Sequence, residues 1–277
     1  MTQDSAICTA PSSATATGEC RGKVVISGSY GGEYNAYHAG KWGIRGVVLN
    51  DAGVGKNRAG IRGLEYLDQV ELPGATADAD TCHIGDGDHM LQHGRVSHIN
   101  RSAARCGCDI GDSVRRCAEL MGESPVVTAS MPPISGAKRY MIRENPGEPA
   151  VVCLDAAPML SDDDAGRIVV TGSHAALFRG RPDDVIRPQV RAIFFSDDGV
   201  GMDGAGIARL PLLDARGIVA GTASAASAEI GDSRSIYEEG ILSHVNAAAR
   251  AVGGRVGLRI RDFVVMLAVN WRHLIAP

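Results

Sequence analysis

Two aspartates and two histidines recur along the chain in matching contexts. Asp51 begins a glycine-rich segment that returns at Asp197, and His98 lies in a Ser-His-x-Asn motif that returns at His244. Imidazole exchanges protons near neutral pH, and a carboxylate can accept a proton or orient its donor. These types of side chain predict acid–base chemistry. The predicted catalytic residues are Asp51, His98, Asp197 and His244.

Glycines and small polar residues accompany these pairs and suit the binding of a small polar molecule. Gly28-Ser29 and Gly172-Ser173 each follow a short β-branched run. Backbone N–H groups in glycine-rich loops bind oxyanions and carboxylates. The predicted substrate-binding residues are Gly28, Ser29, Gly53, Gly55, Asp86, Asn100, Gly172, Ser173, His174, Gly199, Gly201, Asp232 and Asn246.

Each of these positions also has a structural interpretation. A glycine after a strand is often required because the backbone φ is positive there or because a helix packs closely against it. Asp86 and Asp232 are equally suited to cap the N-termini of helices. The Ser-His-x-Asn motifs fall in predicted helices at 95–105 and 241–251, where they could form a buried polar network between the halves instead of a catalytic one.

Two familiar kinds of site are not predicted. The segment after Asp51 contains Gly-Val-Gly-Lys, but it lacks the upstream glycine and the downstream Ser or Thr of a nucleotide-binding P-loop. His89 and His93 have the four-residue spacing of a metal-binding pair, but the repeated segment has neither histidine. We therefore predict a solvated polar face there, with no metal and no cofactor.

The recurring motifs belong to an internal duplication. With an offset of 146, residues 51–104 align with residues 197–250 without a gap, and 21 of 54 positions are identical. Unrelated segments would match at roughly one position in fifteen, so chance does not explain the similarity. We predict a first repeat at 1–121, a proline-rich connector at 122–149 and a second repeat at 150–277.

Within each repeat, short apolar runs alternate with helical patterns, which is typical of parallel sheets covered by helices. The predicted strands are 23–27, 46–49, 75–79, 167–171, 192–195 and 221–225, with a further strand near 137–143 in the connector. We predict an α/β fold of two tandem homologous repeats with mainly parallel sheets, related by a pseudo-twofold axis. Since such sheets bind ligands at the carboxyl ends of their strands, the polar turns are expected to meet at one edge.

Composition excludes several classes of partner. The net charge of −4, the absence of a basic run and the low aromatic content of 4% argue against nucleic acid. Four of the seven cysteines have no cysteine in the aligned copy, which argues against a disulfide framework. Residues 1–23 lack the apolar core of a signal peptide, and the apolar run at 263–269 is too short for a membrane span. A cytoplasmic protein with no membrane partner is predicted.

The leading hypothesis is a cytoplasmic enzyme that acts on a small polar metabolite by hydrolase or lyase/isomerase chemistry. The alternative is a non-catalytic binding module for a phosphorylated metabolite or a nucleotide, which would show ligand-dependent stabilisation without turnover. A third interpretation is a structural oligomer in which the repeated polar residues only specify packing. A homo-oligomer is compatible with all three.

Overall fold

The computed structural model describes residues 6–274, and its first half is built around a five-stranded sheet. The strands pair in chain order and are parallel, except that the last pair is antiparallel. They are β1 (Ile7–Ala10), β2 (Val24–Tyr30), β3 (Gly46–Asn50), β4 (Gly74–Ala77) and β5 (Val96–Ile99).

The second half contains a six-stranded sheet in which one further antiparallel strand is added at the outer edge. Its strands are β6 (Arg139–Arg143), β7 (Val151–Leu154), β8 (Ile168–His174), β9 (Ala192–Ser196), β10 (Val219–Ala223) and β11 (Leu242–Val245). The strand predicted in the connector is confirmed as β6, which pairs with β7. Two mixed, mostly parallel sheets with helices against them confirm the predicted α/β class.

Nine α-helices lie against the sheets within residues 6–274. They are α1 (Glu33–Gly40), α2 (Gly63–Asp68), α3 (Gly87–His93), α4 (Arg101–Arg105), α5 (Val114–Gly122), α6 (Arg209–Ala215), α7 (Ser233–Glu239), α8 (Ala247–Ala251) and α9 (Ile260–Leu274). Within this part of the chain, no helix combines the length and the apolar character needed to cross a membrane. β3 and β9 are buried along their whole length, as expected for central strands covered on both faces.

The Ser-His-x-Asn motifs do not lie inside helices, and that prediction was wrong. Ser97 and His98 belong to β5, which pairs antiparallel with β4, and the same arrangement holds for Ser243 and His244 in β11. The helices begin only after the asparagines. In each half the asparagine ends the short strand by capping the helix that follows it.

Gly28 and Gly172 lie inside β2 and β8, whereas the sequence placed them after the strands. In both strands the pairing with the next strand is interrupted here and resumes at Tyr30 and His174. A Cβ on Gly28 would lie 2.3 Å from the backbone nitrogen of Asp86. The glycines therefore let a neighbouring loop approach the strand backbone, which no larger residue would permit.

The cysteines contribute one cross-link. Cys8 and Cys20 form a disulfide that ties β1 to the turn before β2, and Cys82, Cys106, Cys108, Cys117 and Cys153 are free. The five free thiols include four that are buried in the apolar core. The predicted cytoplasmic location stays a prediction.

Candidate functional site

A cavity of about 570 Å³ lies between the two halves, at the carboxyl ends of β2 and β8. Ser29 and Tyr30 at the end of β2 line it from one side, and Ser173 and His174 at the end of β8 line it from the other. Residues 134–138 of the connector contribute to its wall. Each sheet thus presents the last two residues of its second parallel strand to one shared space.

The imidazole of His174 is held as a neutral hydrogen-bond donor. His174 is only 7% exposed, and its Nδ1 accepts a hydrogen bond from the Ala176 backbone N–H at 3.2 Å. Burial, together with the positive charge of Arg209, lowers the pKa of His174 to about 3. Since Nδ1 is an acceptor, Nε2 carries the proton, and no residue in the described part of the chain accepts from it. His174 can therefore polarise a ligand oxygen but is a poor base.

Tyr30 presents a second neutral donor. Its phenol oxygen lies over Gly231, where an added Cβ would approach it to 2.1 Å. Burial, with the negative charge of Asp155, raises the pKa of Tyr30 above its usual value. The phenol consequently keeps its proton at neutral pH, and among residues 6–274 it has no hydrogen-bond partner.

The two serines are oriented by backbone amides. Ser29 Oγ accepts from the Ser13 N–H at 3.0 Å, and Ser173 Oγ accepts from the Ala157 N–H at 2.8 Å. Ser29 also donates to Ser12 Oγ at 3.3 Å. The Ser173 hydroxyl hydrogen meets no acceptor in the described residues, so it can donate to a ligand. Neither hydroxyl contacts a base that would activate it as a nucleophile.

Asp155 is held in place by donors from the chain itself. It accepts from the Lys138 backbone N–H at 2.9 Å, and from the Ser233 N–H and hydroxyl at 3.2 and 2.7 Å. These bonds connect the connector to the start of α7. The carboxylate therefore shapes the cavity wall and contributes negative charge near Tyr30.

Asp232 has one carboxylate oxygen left for a ligand. Its Oδ1 accepts from the N–H groups of Arg234 and Ser235 at 2.9 and 3.0 Å and so caps α7. Oδ2 has no partner in the described chain. Asp86 caps α3 in the same way but does not line the cavity. Asp232 is thus both a cap and a candidate proton acceptor.

Arg62 is the arginine on the cavity wall, and its charge is already compensated. Its guanidinium pairs with Glu229 at 2.7 Å. Lys138 and Glu33, which also line the cavity, carry opposite charges. The central cavity therefore offers polar donors and local charge balance, without a strongly cationic surface.

The predicted catalytic aspartates do not line this cavity. Asp51 Oδ1 accepts from the N–H groups of Gly53 and Ala79 at 2.9 and 3.1 Å. Asp197 Oδ1 does the same with Gly199 and Ala225 at 3.0 and 2.8 Å. Each carboxylate thereby fixes the loop after its strand. Desolvation raises the pKa of Asp51, against the effect of these hydrogen bonds.

The glycines of those loops bring the two halves into contact. A Cβ on Gly53 would lie 3.1 Å from the Cα of Gly199, and the reverse distance is the same. Gly55 and Gly201 have φ values of 67° and 66° and approach the carbonyls of Ala225 and Ala79. The structure places these four glycines at the junction of the halves and outside the cavity wall.

His98 and His244 lie on edge strands, away from the cavity. Each Nδ1 is 3.2 Å from the hydroxyl of the preceding serine, in Ser97 and Ser243. β5 is three strands from β2 in the sheet, which corresponds to about 14 Å at the usual strand spacing. Neither histidine lines the cavity with His174. Their predicted catalytic role stays a prediction, without support from this placement.

Asn100 and Asn246 are buried and fully engaged. Asn246 Oδ1 accepts from the N–H groups of Ala220 and Ala249 at 3.1 and 2.9 Å, and its Nδ2 donates to the Ile218 carbonyl at 2.8 Å. Asn100 makes the equivalent bonds in the first half. Each side chain caps a helix and ties it to the neighbouring strand within its own half, whereas the structural alternative drawn from the sequence was a polar network between the halves.

Sequence reasoning overlooked Tyr30, Asp155 and Asp198 as polar groups of interest. Tyr30 directly follows Gly28-Ser29, just as His174 directly follows Gly172-Ser173. Because His174 was already a predicted binding residue, this shared position was the signal that could have pointed to Tyr30. Asp198 occupies the position of Ala52. It is 1% exposed, and neither carboxylate oxygen has a hydrogen-bond partner in the described residues. Burial, with the charges of Asp51 and Asp197, raises its pKa well above the usual value.

His83, His89 and His93 form a stack near the surface, with successive ring centroids 3.8 and 4.4 Å apart. Nowhere in residues 6–274 do three or more His, Cys, Asp or Glu side chains group in a way that could hold a metal ion. Comparison with protein-family models, curated proteins and solved structures finds no significant match to the chain.

Proposed function

We propose that the chain is an enzyme that performs acid–base chemistry on a small carbonyl-bearing metabolite bound between the two sheets. The observation that carries the proposal is the pair of neutral donors, Tyr30 and His174, at the ends of β2 and β8 on one cavity. Fixed neutral donors stabilise a negative charge that develops on a substrate oxygen, because they need no reorganisation during the reaction.

In this proposal the substrate carbonyl accepts hydrogen bonds from His174 Nε2 and the Tyr30 phenol. Ser173 supplies a further donor, since its oxygen is already fixed by the Ala157 amide. Asp232 Oδ2 accepts the proton from the substrate or from an attacking water. Proton abstraction next to the carbonyl would give lyase or isomerase chemistry, and water attack would give hydrolysis.

The proposal includes the origin of the site in a duplicated unit with pseudo-twofold symmetry. β1 to β5 and β7 to β11 have the same order, and both contain the interruption at Gly28 and Gly172. If one unit was doubled, equivalent strand ends would face each other across the axis. Their residues then diverged to tyrosine and histidine.

A panel of small carboxylates, amides, esters and cyclic imides, assayed for turnover by NMR, tests the proposal. In the variant His174→Asn, the side-chain oxygen can still accept from the Ala176 N–H, but no donor replaces Nε2. In His174→Gln, the longer side chain places an N–H donor near the position of Nε2. We expect His174→Asn and Tyr30→Phe to lower kcat at least tenfold, about 1.4 kcal/mol in the barrier, and His174→Gln to restore part of it. Unchanged turnover in both His174→Asn and Tyr30→Phe would overturn the proposal.

His98→Ala and His244→Ala are the matched controls, because both remove an imidazole that does not line the cavity. We expect both variants to keep the kcat of the parent chain. Loss of turnover in either of them, with folding intact by circular dichroism, would instead favour the catalytic role predicted for these histidines from the sequence.

A second candidate function is a non-catalytic binding module. The specific observation in its favour is that the cavity imidazole is not basic, so proton acceptance depends on Asp232 alone among the groups considered above. This candidate predicts that a compound from the panel raises Tm without being converted. Asp232→Asn would then leave the shift in Tm nearly unchanged.

A further inference from the structure

Each half contains a loop that is anchored to the edge strand of its sheet. The first loop, residues 107–113, follows α4, and the second loop, residues 253–259, follows α8 at the same offset of 146. The N–H of Gly111 donates to a carbonyl of β5, and that of Gly257 donates to a carbonyl of β11, both at 2.8 Å. The two glycines have φ values of 91° and 88°. The loops are therefore held against their edge strands in the same way.

An apolar side chain stands out from the surface in each loop. Ile110 is 67% exposed and Val256 is 63% exposed, and the two occupy equivalent positions of the halves. They are the two most exposed large apolar side chains in residues 6–274. One exposed apolar residue needs no explanation, but the same position left uncovered in both loops marks a surface suited to burial by a partner.

The charges beside these apolar side chains are opposite in the two loops. The first loop carries Asp109 and Asp112, and the second carries Arg255 and Arg259. Within residues 6–274 none of the four forms an ion pair, and Asp112 Oδ2 accepts only from the backbone N–H of Asp109, at 3.0 Å. The two arginines in the first turn of α5 do not pair with either aspartate. One loop thus presents an apolar side chain with negative neighbours, and the other presents one with positive neighbours.

An apolar groove of about 630 Å³ lies beside the second loop. Its apolar lining consists of Ile207, Ala208, Leu210, Pro211, Val245 and Val256. Arg250 and Arg255, both exposed, also line the groove and supply positive charge. Asp203 is the carboxylate of the lining, and it already bonds to His83 Nε2 at 2.9 Å. The groove therefore combines an apolar surface with an excess of positive charge.

We propose that this groove binds the first loop of a second copy of the chain. Ile110 of one copy enters the groove beside Val256 of the next, and Asp109 then faces Arg255. Residues 107–113 do not line the groove of their own chain, and the two loops lie at the edges of different sheets. The contact joins two unlike surfaces, so its repetition gives a ring or an open chain of copies.

A single loop in a groove is a small interface, so the association should be weak. Interfaces at the low end of the size range are transient, and we expect a Kd of about 10 µM or weaker. Added salt should weaken the association further, because it screens exposed charges. The groove shares no residue with the central cavity, so the inference does not depend on the proposed enzyme activity.

Sedimentation velocity of the full chain, from about 1 µM to about 1 mM, tests the proposal. We expect the average mass of the parent chain to rise with concentration. Asp109→Arg and Arg255→Asp should each weaken the association about tenfold or more, because like charges then meet in the contact. An equal mixture of the two variants, or the double variant, should associate again, since each substitution supplies the charge that the other has reversed.

Matched controls separate this contact from general effects of charge and apolarity. Asp80→Arg reverses an exposed charge outside the loops and should change the association less than about twofold. Ile110→Ser should weaken it about tenfold or more, because the contact loses a buried apolar side chain. Met141→Ser removes another exposed apolar side chain and should leave the association unchanged. Circular dichroism checks that each variant is folded.

Three outcomes would overturn the inference. A parent chain that stays monomeric throughout the concentration range would do so, and it would leave the groove to a different partner. Association that both single charge reversals leave unchanged would do so as well. The third outcome is a loss of association that neither the mixture nor the double variant restores, since the two charges would then not face each other.

Discussion

The phenol oxygen of Tyr30 lies so close to Gly231 that a Cβ on the glycine would approach it to 2.1 Å. The tyrosine ends β2 in the first half, and the glycine precedes α7 in the second. The contact therefore crosses between the halves and forms part of the cavity wall. A glycine with φ +88° leaves the space that the phenol occupies.

Gly231→Ala is expected to displace the Tyr30 ring and to destabilise the fold. The left-handed φ alone costs about 1 kcal/mol for alanine, and the clash adds ~1–3 kcal/mol. Gly257→Ala is the matched control, because Gly257 has the same φ of 88° with nothing within 4 Å of an added Cβ. Urea unfolding measures the difference in stability, and NMR reports the ring of Tyr30. Equal losses in the two variants would contradict the assigned contact.

Asp198→Ala is expected to stabilise the chain, because it removes a buried carboxyl group without a hydrogen-bond partner in the described residues. Alanine already occupies the equivalent position at Ala52, with a similar positive φ. The gain should be about 1–3 kcal/mol at neutral pH.

The gain from Asp198→Ala should also grow with pH. The pKa of Asp198 is raised in the folded chain, so the folded state keeps a proton that the unfolded state loses above about pH 4. The parent chain thus loses stability as pH rises through this window, and the variant does not. Urea unfolding at pH 5 and pH 8 measures this, and a gain that shrinks at the higher pH would argue against a raised pKa.

Asp164 is expected to have the opposite pH dependence. Its carboxylate is fully buried, pairs with Arg139, lies 3.1 Å from Arg167 Nη1 and accepts from the Ser161 N–H at 3.0 Å. Burial alone would raise the pKa of Asp164, but these donors and charges hold it below its usual value. Its contribution is therefore present above about pH 4 and lost as pH falls further.

Asp164→Ala should cost about 2–3 kcal/mol at pH 7, since both arginines are partly exposed and retain some hydration. Asp162→Ala in the same turn is the control and should cost less than about 0.5 kcal/mol, because Asp162 is exposed. Urea unfolding between pH 3 and pH 7 checks both values. If Asp164→Ala were still less stable than Asp162→Ala by the same free energy at pH 3, the lowered pKa of Asp164 would be contradicted.

Asn246→Ala is expected to destabilise the fold by ~2–4 kcal/mol, because three backbone groups lose their buried partner. Any compound that binds the cavity should still bind the folded variant, since Asn246 does not line it. Asn145→Ala, on the surface, is the control for stability. Unchanged stability combined with weaker binding would restore the substrate-binding role predicted from the sequence.

The α/β class and the approximate positions of six strands of the parallel sheets can be predicted from the sequence alone, because β-branched runs and their spacing are local patterns. The sequence also placed four residues that the structure brings into the cavity, namely Ser29, Ser173, His174 and Asp232. For Asp86 and Asp232 it left open the choice between a cap and a ligand contact, and both prove to be caps.

Which polar turns face a common space depends on how the two sheets pack against each other. Asp51 and Asp197 recur as clearly as the Gly-Ser pairs, yet Oδ1 of each accepts from backbone amides of the loop that follows it, and these loops join the halves. His98 and His244 lie on edge strands. The recurring Ser-His-x-Asn motif does not reveal this position, because strand order is set by pairing between distant segments. The cavity arises where the ends of β2 and β8 meet, and that contact depends on how one half packs against the other.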